Sequence, residues 1–380
     1  MHIGIDARFY GGEQSKGLGR YTQKLVEYLA QNDSQNQYTI FLQQEAYDNW
    51  NIANKNFKPC LAPYNWYSLD EQLKMPLKIK QAKVDFMHFP HFNVPLLYRG
   101  KFIVTIHDLI ITHFPTQRAT TLAPWLYKLK QFAYKRVISH AAKDSTKIIT
   151  VSNYSKNDIV KTFNLPAEKV EVTYEASEPP SKNNIPEEKQ KEILNNFNIK
   201  KSYLLYVGNA YPHKNLEILI EAIKKLKKQN ELTDLQLVLV GKKDYFYKKL
   251  EEKIWSDDLE DDIILTGFVK DEDLPILYQR SLAYIFPSKY EGFGLPPLEA
   301  MTYKSPVLSA KSSCLPEILG DSVLYFETNE VCGIINQVKK IQSNPKLREE
   351  LIAKGQKQIT KYSWQKMAVE TVKIYESIQK

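Results

Sequence analysis

Short apolar runs alternate with amphipathic, lysine-rich stretches from one end of the chain to the other. No other feature limits the fold as much. In the first half the strand-like runs fall at 2–7, 38–42, 86–89, 102–107, 148–152 and 170–174. In the second half they fall at 203–207, 236–240, 263–266, 283–286, 306–309 and 323–326. Several are apolar almost without a break, as in Leu235-Gln236-Leu237-Val238-Leu239-Val240. That pattern marks a strand buried on both faces of a parallel sheet. Between the runs, 216–228 sets Leu216, Leu219, Ile220, Ile223 and Leu226 on one helical stripe with lysines opposite. Strand and helix in strict alternation predict an α/β fold of parallel, doubly wound sheets.

A length of 380 residues is too great for one ordinary domain and suits two. The rhythm breaks at 176–201, rich in Pro, Lys, Glu and Asn, which reads as a linker with a short helix. The expected domains are 1–178 and 202–362, both Rossmann-like, with 179–201 between them and their strand-end loops facing one cleft. Apolar residues at 43% and charged residues at 25% exclude disordered and fibrous classes. Cys60, Cys314 and Cys332 form neither a metal spacing nor a disulfide framework, which fits a reducing compartment. With no secretory leader pattern and no membrane-length apolar run, a cytoplasmic location is expected. The net charge is +8, and the first 180 residues carry most of it, with 22 Lys and Arg against 16 Asp and Glu.

The richest string is Glu291-Gly292-Phe293-Gly294-Leu295-Pro296-Pro297-Leu298-Glu299-Ala300-Met301, directly after a strand. Two glycines let backbone approach a ligand, and the prolines suit a first helical turn. Amides at such a helix start attract anions. Two carboxylates with seven residues between them can each accept from a vicinal diol. Diphosphate between two diol-binding carboxylates describes a nucleotide-sugar. A second string, Gly208-Asn209-Ala210-Tyr211-Pro212-His213-Lys214-Asn215, joins a strand to a helix and offers a lysine to phosphate. Third, 102–107 ends in His107, at a strand end where ligands bind, followed by Asp108 as a turn cap. Fourth, the loop Gly11-Gly12-Glu13-Gln14-Ser15-Lys16-Gly17-Leu18-Gly19-Arg20-Tyr21 does not fit Gly-x-Gly-x-x-Gly, so a dinucleotide site is unsupported. In Val151-Ser152-Asn153-Tyr154-Ser155, Ser152 reads as a helix N-cap, and the glycosylation sequon as chance.

The Glu-x7-Glu string, with its Gly-Phe-Gly-Leu-Pro and Glu-Ala-Met, resembles the GT-B-fold retaining glycosyltransferases of family 4, and the resemblance covers nearly the whole chain. The Gly-Asn and His-Lys-Asn form is similar to a bacterial branch rich in polysaccharide mannosyltransferases. The resemblance implies that Glu299 holds the nucleotide ribose and Glu291 the donor hexose. It implies that Gly292, Phe293, Gly294 and Leu295 approach sugar and diphosphate, and that Gly17, Gly208, Asn209 and Lys214 complete the donor site. It makes His107, Lys214 and Glu291 the catalytic set, with His107 beside the donor sugar. Asn209 stands where the family commonly has arginine, so one phosphate-facing cation is missing; His213 or Arg20 are the candidates to replace it. The segment 363–380 is expected as a helix packing back on the first domain.

The resemblance implies transfer of a hexose, from GDP-mannose or a UDP-hexose, to a glycan or lipid-linked acceptor. The resemblance also implies retention by a front-face route with no cofactor, and no metal is expected, since no Asp-x-Asp follows a strand in the first domain. Two rivals are a sugar-nucleotide epimerase or hydrolase on the same fold, and a non-catalytic binder of sugar-nucleotides or lipid surfaces. Nucleic acid is not an expected partner, because the aromatic motifs of RNA modules are missing. Between Asp108 and Asp144 lie six basic residues and no acidic one, Arg118, Lys128, Lys130, Lys135, Arg136 and Lys143, interleaved with Trp125, Tyr127, Phe132 and Tyr134. That stretch reads either as a solvated helix with its aromatics inward or as a peripheral dock on the anionic inner face of a membrane.

Overall fold

The computed structural model describes residues 1–11, 16–115, 124–178 and 185–378. The central part of the first loop (12–15), Arg118 and the prolines Pro179 and Pro180 lie outside the described residues. The chain divides into two units, one of 1–112, 120–175 and 363–380, the other of 113–119 and 176–362.

The first unit contains β1 (His2–Asp6), α1 (Lys16–Asn32), β2 (Gln37–Leu42), α2 (Gln44–Asp48), β3 (Phe57–Leu61), α3 (Leu69–Ala82) and β4 (Phe86–Phe89). It continues with β5 (Phe102–Thr105), α4 (Ile110–His113), α5 (Pro124–Asp144), β6 (Lys147–Thr150), α6 (Asn153–Phe163) and β7 (Val170–Val172). Its seven strands run parallel in the order β3-β2-β1-β4-β5-β6-β7. The second unit contains α7 (Glu187–Asn196), β8 (Ser202–Val207), α8 (Glu217–Lys228), β9 (Leu235–Val240), α9 (Tyr245–Ser256), β10 (Ile263–Gly267) and α10 (Leu274–Arg280). It continues with β11 (Ala283–Phe286), α11 (Leu295–Thr302), β12 (Val307–Ala310), α12 (Leu315–Leu319), β13 (Leu324–Phe326), α13 (Val331–Ser343) and α14 (Pro345–Ile359). Its six parallel strands run β10-β9-β8-β11-β12-β13. Helix α15 (Trp364–Ser377) falls in the first unit.

The two strand orders share one consequence. Strand order reverses between β1 and β4, and again between β8 and β11. Loops leaving neighbouring strands part at such a point and open a crevice at the carboxyl edge. The alternation predicted from sequence holds, and all six residues of β9 are buried. The stripe of Leu216, the N-cap of α8, with Leu219, Ile220, Ile223 and Leu226 along the helix is buried in the core. One strand escapes the sequence reading: β3 contains Pro59, which argues against a strand. It is tolerated because β3 is the edge strand and pairs only with β2.

Helix α15 is held to the first unit by polar contacts set inside apolar packing. His88, fully buried on β4, lies between Tyr375 Oη (2.6 Å) and Thr105 Oγ1 (2.9 Å), and Thr105 Oγ1 in turn meets Tyr21 Oη at 3.2 Å. Burial, reinforced by the charge of His107, depresses the His88 imidazole to about 3, so it is neutral. A neutral ring has one donor and one acceptor nitrogen, and both are satisfied here. Tyr375→Phe keeps the packing and strands one ring nitrogen. It should destabilise the protein by about 1–3 kcal/mol in urea unfolding. Unchanged stability would show that the contact contributes nothing to holding α15.

Candidate active site

In the second unit the residues singled out from sequence gather at the β8/β11 reversal. After β8 the chain turns through Gly208, where a Cβ would lie 2.7 Å from Tyr206 Oη. The loop beyond is fixed from below. Tyr247 Oη donates to the Gly208 carbonyl (2.9 Å) and Tyr206 Oη to that of Asn209 (2.7 Å). Gly241 must also be glycine, because a Cβ there would meet the Gly208 carbonyl at 2.2 Å. Asn209 caps the turn, its Oδ1 accepting from the Tyr211 amide (3.3 Å). Asn215, left-handed at φ 59°, donates to the carbonyls of Pro287 (3.3 Å) and Thr328 (2.8 Å) and ties this loop to those after β11 and β13. His213 and Ser288 tie it further, Ser288 Oγ donating to the His213 carbonyl at 3.2 Å.

That bracing sets Lys214 Nζ 2.6 Å from Glu291 Oε1, with the lysine side chain 13% and the glutamate side chain 9% exposed. Lys214 also stands 5.5 Å over the ring of Phe286. The Glu291 amide donates to Ser313 Oγ (2.9 Å). Gly294 then adopts φ 91°, a conformation that favours glycine, and a Cβ there would strike Leu315 at 2.8 Å. It forms the N-cap of α11, whose first turn holds Pro296 and Pro297. Phe293 is buried against Tyr362. Glu299 is half-buried on α11. Burial and the neighbouring Tyr278, with the negative charges of Glu299 and Glu291 adding, hold the Tyr284 hydroxyl well above the ordinary phenol range. Both carboxylates therefore bear on the buried hydroxyl of Tyr284, within β11. His213 cannot supply the cation missing at Asn209: burial, with Lys214 adding, depresses it to about 4, so it is neutral at pH 7.

In the first unit His107 follows β5 and is better held than its sequence suggests. Nδ1 lies 3.0 Å from Glu175 Oε1 and Nε2 lies 3.1 Å from the Pro90 carbonyl. Both partners are acceptors, so both ring nitrogens must donate and the ring is an imidazolium. Burial opposes that charge, but the hydrogen bond and charge of Glu175, the Pro90 carbonyl and Asp108 outweigh it and raise the pKa. Tyr21 meets the ring edge-on at 4.5 Å, and Ser155 Oγ donates to the His107 carbonyl (3.2 Å). Asp108 caps α4 through the Ile110 amide, and Ser152 caps α6, as expected. Gly17 is exposed, has no positive φ, and a Cβ on it would meet nothing within 4 Å. Neither backbone nor packing requires glycine there. Arg20 is exposed on the same helix. Sequence reading missed Glu175, which no motif marks, and gave no role to Tyr21, which only closes the string 11–21. Among the described residues no cluster of His, Cys, Asp or Glu is arranged to hold a metal.

Two family profiles divide the chain: "Glycosyltransferase Family 4" matches residues 15–176 and "Glycosyl transferases group 1" matches 187–358. The O-antigen chain mannosyltransferase B of Escherichia coli is 30% identical over 314 residues, which is 81% of this chain and 78% of that one. The chain belongs to the family 4 glycosyltransferases. The O-antigen chain mannosyltransferase RfbU of Salmonella typhimurium is 25% identical over 83% of this chain and 80% of its own. Among solved structures, Anabaena HepE in complex with UDP-glucose superposes with a TM-score of 0.72 at 15% identity, covering 99% of both chains. WaaG, a glycosyltransferase involved in lipopolysaccharide biosynthesis, gives 0.71 at 14%, covering 98% of this chain and 99% of its own. These likenesses carry the GT-B fold, and this glycosyltransferase has its two parallel sheets.

The His107–Glu175 pair sets a pH dependence. The folded pKa of His107 lies above its unfolded value. The pair's stabilisation is therefore complete below about pH 6.5, the unfolded value, and is lost as pH rises through the raised folded one. Glu175→Gln should cost about 2 kcal/mol at acid pH, with the deficit narrowing as pH rises. Urea unfolding across a pH series measures this. A deficit that stays constant would mean that His107 is uncharged.

Proposed function

We propose that this enzyme is a retaining hexosyltransferase that needs no metal ion and no other cofactor. It moves a mannose- or glucose-type residue from a nucleotide-diphosphate sugar to a hydroxyl of a glycan or lipid-linked acceptor. The observation that carries the reading is the Lys214–Glu291 pair, held beside the start of α11 with Glu299 farther along that helix. In this role Lys214 answers the charge that builds on the leaving diphosphate, and α11 adds its backbone amides. Glu291 accepts from hydroxyls of the hexose and Glu299 from the ribose. Gly17, Gly208, Asn209, Gly292, Phe293, Gly294 and Leu295 complete the donor site. His107, with both nitrogens occupied, serves as a fixed cation beside the sugar and not as a base. The leaving phosphate oxygen then takes the acceptor proton, on the face where the new bond forms. The named activities of the relatives favour mannose, with GDP-mannose or a UDP-hexose as donor.

Donor titration and turnover test this reading together. Glu299→Ala should weaken nucleotide-sugar binding about tenfold or more, and Lys214→Ala should cut turnover roughly 100-fold. Activity should survive excess chelator. Normal donor affinity in Glu299→Ala, or activity lost to chelator and restored by magnesium, would refute the assignment. Nucleotide release that ignores acceptor would point to the epimerase or hydrolase alternative.

We further propose that the enzyme works in the cytoplasm, on the anionic inner face of a membrane. No described helix is long and apolar enough to cross a bilayer. On α5, Trp125 (67% exposed), Leu129 and Phe132 stand outward among Lys128, Lys130, Lys135 and Arg136. The inward packing of the α5 aromatics weighed from sequence therefore fails for Trp125 and Phe132. On α3, Leu69, Leu73 and Leu77 form an exposed stripe along successive turns beside Lys74. Exposed apolar side chains on three turns are uncommon on a monomer surface, and lysines around them suit lipid phosphate. The protein should co-sediment with phosphatidylglycerol vesicles, weakly and less at high salt. A Lys128, Lys130, Lys135 and Arg136 quadruple alanine variant should lose that binding. Equal binding to neutral vesicles would refute the proposal.

A further inference from the structure

A cluster of aromatic side chains stands at the carboxyl edge of the first sheet, and the chemistry described above does not use it. The strands are parallel, so the segments that follow β1, β3, β4 and β5 all emerge at one edge. Three of these bring aromatics: Phe9 after β1, Trp66 and Tyr67 after β3, His91 after β4. Phe9 and Trp66 stack at 4.3 Å with their planes 7° apart, and His91 meets Phe9 edge-on at 5.5 Å. Tyr67 Oη lies 3.0 Å from His91 Nε2. Phe9, Trp66 and His91 are half-buried, and Tyr67 is 65% exposed.

Beneath the cluster is a buried ionic knot. Arg8, whose side chain is fully buried, donates to Asp6 through Nε and Nη2 (both 2.7 Å), to Glu71 Oε1 (2.6 Å) and to the Tyr64 carbonyl (3.1 Å). Asn93 Nδ2 donates to the same Glu71 oxygen (2.7 Å), and the other Glu71 oxygen accepts the Tyr67 amide (2.8 Å). Burying such a group adds little net stability, so what it provides here is geometry. It clamps the 64–67 loop firmly enough to hold Tyr67 at φ 61°, a left-handed conformation unfavourable for a bulky side chain. A strained, exposed tyrosine held by buried charges, beside a stacked tryptophan, is a preformed surface.

We propose that Phe9, Trp66, Tyr67 and His91 form a stacking platform for a pyranose ring of the acceptor glycan. Sugar rings present C–H faces of slight positive charge, which settle on the negative faces of aromatic rings, and the Tyr67 hydroxyl is placed to meet a ring hydroxyl. Arg8 offsets one of the two carboxylates beneath it, Asp6 and Glu71, so the knot keeps a net negative charge that disfavours a phosphate and leaves the aromatic surface to a neutral polyol. The platform opens on the edge that also carries His107. The inference rests on the transfer reading for its acceptor, but the binding it predicts needs no donor.

The test is calorimetric titration of the full chain with an α-linked mannotriose, without nucleotide, with acceptor KM measured in parallel. Wild type should bind with a dissociation constant on the order of 1 mM. Trp66→Leu and Tyr67→Gly should each weaken binding and raise acceptor KM about tenfold, while Trp66→Phe stays within about threefold. Tyr67→Gly should keep or raise the melting temperature, because glycine relieves the strained φ, so loss of binding there is not loss of fold. Donor affinity should not move. No saturable binding by wild type, or unchanged binding and KM in both Trp66→Leu and Tyr67→Gly, would overturn the platform. Trisaccharide binding that depends on Trp66, in a protein that transfers no sugar, would overturn the transfer reading and leave the platform standing.

Discussion

A parallel sheet covered by helices on both faces excludes polar chemistry from nearly all of its area. The strand interiors here are buried and apolar on both sides. Charged or catalytic side chains can gather only where strands end, and in a parallel sheet all strands end at the same edge. Reversal of the strand order at β1/β4 and at β8/β11 then decides where along that edge the loops part. His107, the aromatic cluster, Lys214 and Glu291 all stand just beyond strand ends because the fold offers them nowhere else.

At each of these places stands a buried ion pair. Arg8 with Glu71, His107 with Glu175 and Lys214 with Glu291 each join segments far apart in sequence, by 63, 68 and 77 positions. Desolvation cancels much of what such pairs gain from attraction, so their effect lies in direction and not in strength. Arg8–Glu71 fixes the backbone of a loop. Glu175 fixes both the ring plane and the proton count of His107. Lys214–Glu291 differs, since both partners are candidates to leave the pair for a ligand.

Much of this was legible in the sequence, and the limits have physical causes. Near-continuous apolar runs exposed the parallel strands. Gly294 and the two prolines of α11 announced their turn because backbone geometry dictates residue type there. Strand β3 was not legible, since an edge strand need not look like a buried one and Pro59 argues against it. Glu175 and Tyr21 were not legible either. Each acts through a neighbour brought in by the fold, and a lone acid after a short strand carries no local signature. Gly17 is the reverse case: the sequence marked it, and the structure finds no fold-related need for glycine there.

Asn209 poses a problem of charge that the geometry narrows. Across the segment from Gly208 to Asn215 the cation candidates are His213 and Lys214, and His213 is neutral. Lys214 therefore carries the positive charge of that loop, and in this structure Glu291 offsets it at 2.6 Å. On the transfer reading, a diphosphate draws Lys214 away and leaves Glu291 with an unpaired, largely buried carboxylate. That is costly unless hydroxyl groups replace the ammonium. A hexose attached to the same diphosphate supplies them, and a bare nucleotide does not. Recognition of phosphate and of sugar then become one event, in which each half is unfavourable without the other. With an arginine at 209 sharing the phosphate charge, the lysine could stay on Glu291 and the coupling would slacken. On that reading the asparagine does more than remove a cation: it would make Lys214 answer to both halves of the donor.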